Sequence, residues 1–159
     1  MNITVIALGK LKEKYLKDAI NEYSKRISAY GKLDIVELNP VRLSDNPSQN
    51  EIDNALLKEA DEIKKKIPNG SYVFALCIEG KEKSSEAFAK AISDATLNGK
   101  SSIVFIIGSS FGLSTEIKDL ADFKLSFSPM TFPHQLMRVM LLEQVYRAFQ
   151  INNNGKYHK

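Results

Sequence analysis

The chain has 159 residues, of which 43% are apolar and 26% charged, with a formal net charge of +3. That length suits one hydrophobic core, and the composition excludes disordered and fibrous classes. A surplus of three positive charges is too small to identify a nucleic-acid partner, so any such footprint must be a local patch.

Met1-Asn2-Ile3-Thr4-Val5-Ile6 enters directly as a strand, with no basic-then-apolar leader, and no later apolar run approaches a membrane span. The first strand, Ile3–Leu8, ends at Gly9. Leu11–Tyr30 has helical spacing, with Leu16, Ile20, Tyr23, Ile27 and Tyr30 on one face and Lys10, Lys14, Lys17 and Lys25 on another. Such a lysine stripe is either a solvated face or a contact for RNA phosphates. Gly31 stops the helix, and Leu33–Leu38 is the second strand. Asn39–Asn50, with two prolines, is a loop. Ile52, Leu56, Ile63 and Ile67 then mark a helix charged on its outside, closed by Lys64-Lys65-Lys66 at the negative end of its dipole.

Tyr72–Ile78 is apolar throughout, the pattern of a central strand, and Glu79-Gly80 ends it. Its Cys77 is the single cysteine; it cannot close an internal disulfide, which fits a reduced, cytoplasmic setting and a packing role. Ser84 or Ser85 caps a helix that turns Phe88, Ala91, Ile92 and Ala95 inward. Ile103–Ile107 is the fourth strand. Gly108–Gly112 follows, then a short helix capped by Ser114.

Phe123, Leu125 and Phe127 alternate with Lys124, Ser126 and Ser128 as in a half-buried strand, which Ser128-Pro129 and Phe132-Pro133 terminate. A long helix begins after Pro133. Leu141, Leu142, Val145 and Phe149 form its main stripe, while Leu136 and Met140 lie on the far side beside Glu143 and Arg147. Apolar residues on both sides imply two surfaces to bury against, such as the sheet and a second subunit. Arg138 stands in the main stripe. It either pairs with a carboxylate or reaches out of the stripe, or it faces an anionic ligand or RNA phosphate near the loop.

Five strands alternating with helices specify one α/β domain over residues 1–159, a mostly parallel sheet flanked by helices. Ligands in such sheets bind beyond the carboxyl ends of the strands, here Gly9, Glu79-Gly80, Gly108–Gly112 and Ser128–Phe132. No G-x-G-x-x-G is present. A P-loop fails, because Ala75 stands at its first glycine and Glu82 at its Ser/Thr. Two histidines and one cysteine, far apart, predict no metal site, and no G-x-S-x-G elbow supports a hydrolase. The loop Ser128–His134 is more informative. It offers backbone groups that can bond an adenine edge and apolar side chains to cover the ring, although chemistry alone slightly favours a rigid proline loop with nothing bound.

The segments Phe105-Ile106-Ile107-Gly108, Leu125-Ser126-Phe127, Met130-Thr131-Phe132-Pro133-His134, Arg138-Val139, Glu143–Ala148 and Tyr157-His158-Lys159, with the opening Ile3–Lys17 block, resemble the RlmH family of SPOUT methyltransferases. The resemblance runs from end to end. It departs at Ser109, where the family usually has a second glycine. It implies a SPOUT-type fold with a C-terminal trefoil knot and a homodimer using S-adenosyl-L-methionine. The implied reaction is methylation of N3 of a pseudouridine in 23S rRNA, on assembled ribosomes. The family's cofactor contacts fall on Leu76, Gly108, Phe127, Ser128, Pro129, Met130, Thr131 and Phe132. Arg138, with Lys156 and Lys159, is assigned to RNA or substrate-anion stabilisation. Tyr157 and His158 are assigned to holding the target base, with His158 a candidate general base. His134 reads as a loop anchor. The rival readings are a tRNA methyltransferase of this fold, a nucleotide-binding regulator and a non-catalytic ribosome-binding factor.

Overall fold

A computed structural model describes residues 1–159. The elements run β1 (Asn2–Leu8), α1 (Lys14–Ile27), β2 (Lys32–Leu38), α2 (Gln49–Lys66), β3 (Tyr72–Glu82), α3 (Ser85–Leu97), β4 (Ser102–Ile107), α4 (Thr115–Leu120), β5 (Phe123–Ser126) and α5 (His134–Asn152). All five strands are parallel, in the order β2-β1-β4-β3-β5. No helix is long and apolar enough to cross a membrane.

Period-two alternation divides the sheet's side chains between two layers. Ile3, Val5, Phe74, Ile103, Phe105 and Leu125 face α1, α3 and α5; Ile6, Leu8, Val73, Ala75, Val104 and Ile106 face α2 and α4. The expected stripe of α5 is buried: Leu141, Leu142 and Val145 are fully enclosed, and Phe149 stacks on Tyr30 with ring centroids 5.4 Å apart.

Two boundaries and one helix face differ notably from the sequence expectation. The first helix begins at Lys14 rather than Leu11, because the Leu11 amide donates to Glu37 Oε2 and the Lys12 amide to Gln135 Oε1. The third strand continues past Glu79-Gly80 to Glu82, with an irregularity between Leu76 and Lys81 in its pairing with β5. Gly80 permits this, since a Cβ there would come within 2.7 Å of the Lys124 backbone. On α2 the buried set is Ala55, Glu59, Ala60 and Ile63, so the charged face is not wholly outside.

Candidate active site

Leu76 of β3 stands opposite both Ile107 of β4 and Leu125 of β5. That shared register brings the ends of β4 and β5 level with Leu76, just before the irregular stretch of β3, and the segments beyond them line a cavity of about 730 Å³. This volume is in the range of sites for cofactor-sized ligands. Leu76, Gly108, Phe127, Ser128, Met130, Thr131 and Phe132 all line it. Pro129 does not; it sits exposed at the outer bend of the loop. The cavity also takes residues that sequence reasoning did not assign, among them Cys77, Phe111, Met137 and His134 from the first turn of α5.

The walls have different chemistry. At Gly108 a side chain would strike the Gly112 carbonyl, and Gly112 has φ +83°, so this turn needs both glycines to close on itself. The opposite wall is the 127–132 loop. Ser126 Oγ donates to the Ser128 carbonyl at 3.1 Å, and Ser128 Oγ accepts the Met130 amide at 3.0 Å. The amides of Thr131 and Phe132 donate to no other atom of the chain. Both residues line the cavity beside Phe127 and Met130, so donors without a partner in the chain stand next to apolar side chains, a combination compatible with a purine ring. These residues fit S-adenosylmethionine. On the rim, the Lys118 ammonium bonds Glu79 and holds that carboxyl below its usual range.

His134 packs against Gly9, where a Cβ would lie 3.6 Å from its Nε2. Burial, then the positive charges of Arg138 and Lys12, lower its pKa, which keeps the ring neutral at neutral pH.

Arg138 requires a correction. The guanidinium is 1% exposed; Nη1 donates to Glu37 Oε2 at 2.6 Å and Nη2 to the Gly9 carbonyl at 3.1 Å. It therefore ties α5 to the ends of β1 and β2 and presents no charge to a substrate. A buried guanidinium has to be paired, and Glu37 was the available carboxylate.

The C-terminal segment is folded back on its own chain. The Tyr157 hydroxyl donates to Glu143 Oε1 at 3.1 Å, and the Arg147 guanidinium lies 4.6 Å from the centroid of the tyrosine ring. Arg147 Nη1 lies 3.2 Å from His158 Nδ1, and His158 Nε2 lies 2.8 Å from Glu86 Oε1. Arg147 can only donate and a carboxylate can only accept, so these contacts select the neutral tautomer with its proton on Nε2. The His158 hydrogen bond lowers the Glu86 carboxyl to about 2. Neither Tyr157 nor His158 lines the cavity of its own chain. A smaller cavity of about 340 Å³ shares Leu125, Ser126 and Phe127 with the first and reaches Met140 and Glu143.

Comparison with known proteins gives consistent results. A family model described as "Predicted SPOUT methyltransferase" matches residues 1–158. A Clostridioides difficile protein named ribosomal RNA large subunit methyltransferase H is 53% identical over 159 residues, covering all of both chains. A Methanococcus maripaludis protein is 58% identical over 159 residues, again covering both chains fully, and bears the same name in provisional form. Among solved structures, a probable methylase family protein from Haemophilus influenzae aligns with a TM-score of 0.53 at 14% identity, over 99% of this chain and 70% of that one, which is a likeness of fold.

Proposed function

The chain belongs to the RlmH family of SPOUT methyltransferases, and from that premise we propose that it methylates N3 of a pseudouridine in 23S rRNA on assembled ribosomes, using S-adenosylmethionine. The observation that carries the proposal is the meeting of Leu76, Gly108 and the 127–132 loop in one cavity, with the Thr131 and Phe132 amides free to bond an adenine edge.

When bound, S-adenosylmethionine supplies an electrophilic methyl group; the N3–C bond forms as the S–C bond breaks, and the N3 proton must leave. The chain's own residues orient and deprotonate. The 127–132 loop would hold the purine, and the turn at Gly108 would line the ligand from the β4 side. Tyr157 stacks on the target base, and His158 accepts the N3 proton. His158 can do so only after Arg147 Nη1 releases its Nδ1, because that lone pair is occupied in the docked tail. Lys156 and Lys159 hold phosphates nearby. The tail is docked away from the cavity of its own chain, which supports a homodimer in which one copy's tail serves the other's cavity. The exposed Leu136, at the cavity end of α5, belongs to the dimer surface.

Two measurements test this. Calorimetry should show S-adenosylmethionine binding at one site per chain; no binding sinks the cavity assignment. Mapping methylated positions in RNA from a deletion strain should show one lost mark in 23S rRNA. A lost mark in tRNA instead would redirect the substrate, and no lost mark would remove the catalytic reading.

A further inference from the structure

Glu59 is one of two charged side chains that the fold buries, at 5% exposure, and unlike Arg138 it has no ion-pair partner. A buried carboxylate needs donors for both oxygens. Here the donors come from two separate loops. Oε1 accepts the Ser109 hydroxyl at 3.0 Å, and Oε2 accepts the Val41 amide at 3.0 Å. Ser109 lies in the turn that forms one wall of the main cavity, and Val41 lies in the segment after β2. The turn's shape is set internally, by the Gly112 amide donating to the Ser109 carbonyl at 2.9 Å. Its attachment to the body of the molecule is a different matter. Ser110 and Phe111 are exposed, so the Ser109 hydroxyl is the side-chain link from the turn to α2.

We propose that Glu59 is a positioning residue for the cofactor cavity, acting through Ser109, and that its second oxygen couples the segment after β2 to the same wall. The proposal rests on the reading that the cavity binds S-adenosylmethionine. Ligand binding that orders the turn must then also order Val41, because coupling between two sites is reciprocal.

The test measures the dissociation constant for S-adenosylmethionine by calorimetry in the wild type, Ser109→Ala, Glu59→Ala, Glu59→Gln and the Ser109→Ala/Glu59→Ala double variant. Melting curves check folding, and hydrogen exchange follows the Val41 amide. Ser109→Ala and Glu59→Ala should each weaken binding roughly tenfold, the scale of one lost charge-assisted hydrogen bond. The double variant should be no weaker than the worse single, since the two residues act as a unit. Glu59→Gln should recover most of the affinity, with its amide oxygen accepting from Val41 and its NH₂ donating to Ser109 Oγ. Saturating cofactor should slow Val41 exchange in the wild type and leave it unchanged in Ser109→Ala. A purely structural role would lower the melting temperature and leave the affinity of folded protein unchanged. That result, additive losses, or a Val41 amide indifferent to cofactor would overturn the proposal. If Glu59→Ala does not fold, Ser109→Ala and Glu59→Gln decide the matter alone. A wild type that takes up no S-adenosylmethionine overturns the cavity reading and this proposal together, whereas wild-type binding with an unaffected Ser109→Ala overturns this proposal only.

Discussion

Arg138 carries a full charge into a helix stripe otherwise made of leucine, valine and phenylalanine, and the surrounding backbone is arranged to receive it. Glu37 Oε2 accepts both its Nη1 and the Leu11 amide, so one oxygen joins α5, β2 and the loop after β1. Its Nε is buried with no partner, so the two Nη contacts carry the guanidinium's hydrogen bonding. Arg138→Ala should therefore reduce stability by about 3 kcal/mol, leaving the Gly9 carbonyl without its donor and Glu37 without its cation. Urea or thermal unfolding checks this, with a melting point lower by roughly 10 °C; an unchanged melting point would return Arg138 to the substrate side. His134, one turn earlier, gives the molecule a pH response. Its folded pKa lies below the ordinary value of about 6.5. Its contribution to stability is thus complete above that value and is lost as pH falls through it towards the lower folded pKa. A plot of melting temperature against pH should slope downward below about 6.5, and His134→Gln should flatten it.

At the scale of elements, α5 joins two proposed functions along its length. Its first turn lends His134 and Met137 to the cavity, and its middle and second half hold Tyr157 through Glu143 and Arg147. Removing Tyr157, His158 and Lys159 should abolish methylation while leaving affinity for S-adenosylmethionine within about twofold, because none of the three lines the cavity of its own chain and the tail's proposed contact in the partner is with the RNA base. Lost cofactor binding in a folded protein would sink the separation of roles. Much of this helix was legible in the sequence. The stripe Leu141, Leu142, Val145 and Phe149 follows from 3.6-residue periodicity, and Pro133 fixes the start. The docked tail was not legible, since nothing in the local spacing of Glu143 and Arg147 on the far side of α5 shows that Tyr157 folds back against them. Glu59 was missed for a similar reason. A charge pattern marks a helix face as solvated, yet Ala55, Glu59 and Ile63 recur every fourth residue, and that spacing placed the carboxylate on the buried ridge.

For the whole molecule, the sheet order explains why residues far apart in sequence meet. β4 and β5 flank β3 and end level with its Leu76, so Gly108, Leu76 and Phe127 line one cavity without any one of them being unusual. The alternating pattern showed that strand tips would carry the site; it could not show which tips adjoin, because order within a parallel sheet is decided by crossovers and not by local periodicity. The same scale governs assembly. Leu136→Glu or Met140→Glu should convert the proposed dimer to monomers in sedimentation and suppress methylation, with cofactor binding retained. An intact dimer in both variants would put the contact on another face.

The position of β5 at the edge of the sheet has a consequence for how the protein matures. During vectorial synthesis the other four strands emerge first, and β3 is left with one side unpaired until Phe123–Ser126 arrives to cover it. An open strand edge of that kind invites wrong partners, so the nascent chain is most vulnerable to aggregation just before completion. The pocket's far wall and floor, residues 126–137, also arrive late, and a ligand that needs them cannot act as a template for the earlier steps of folding.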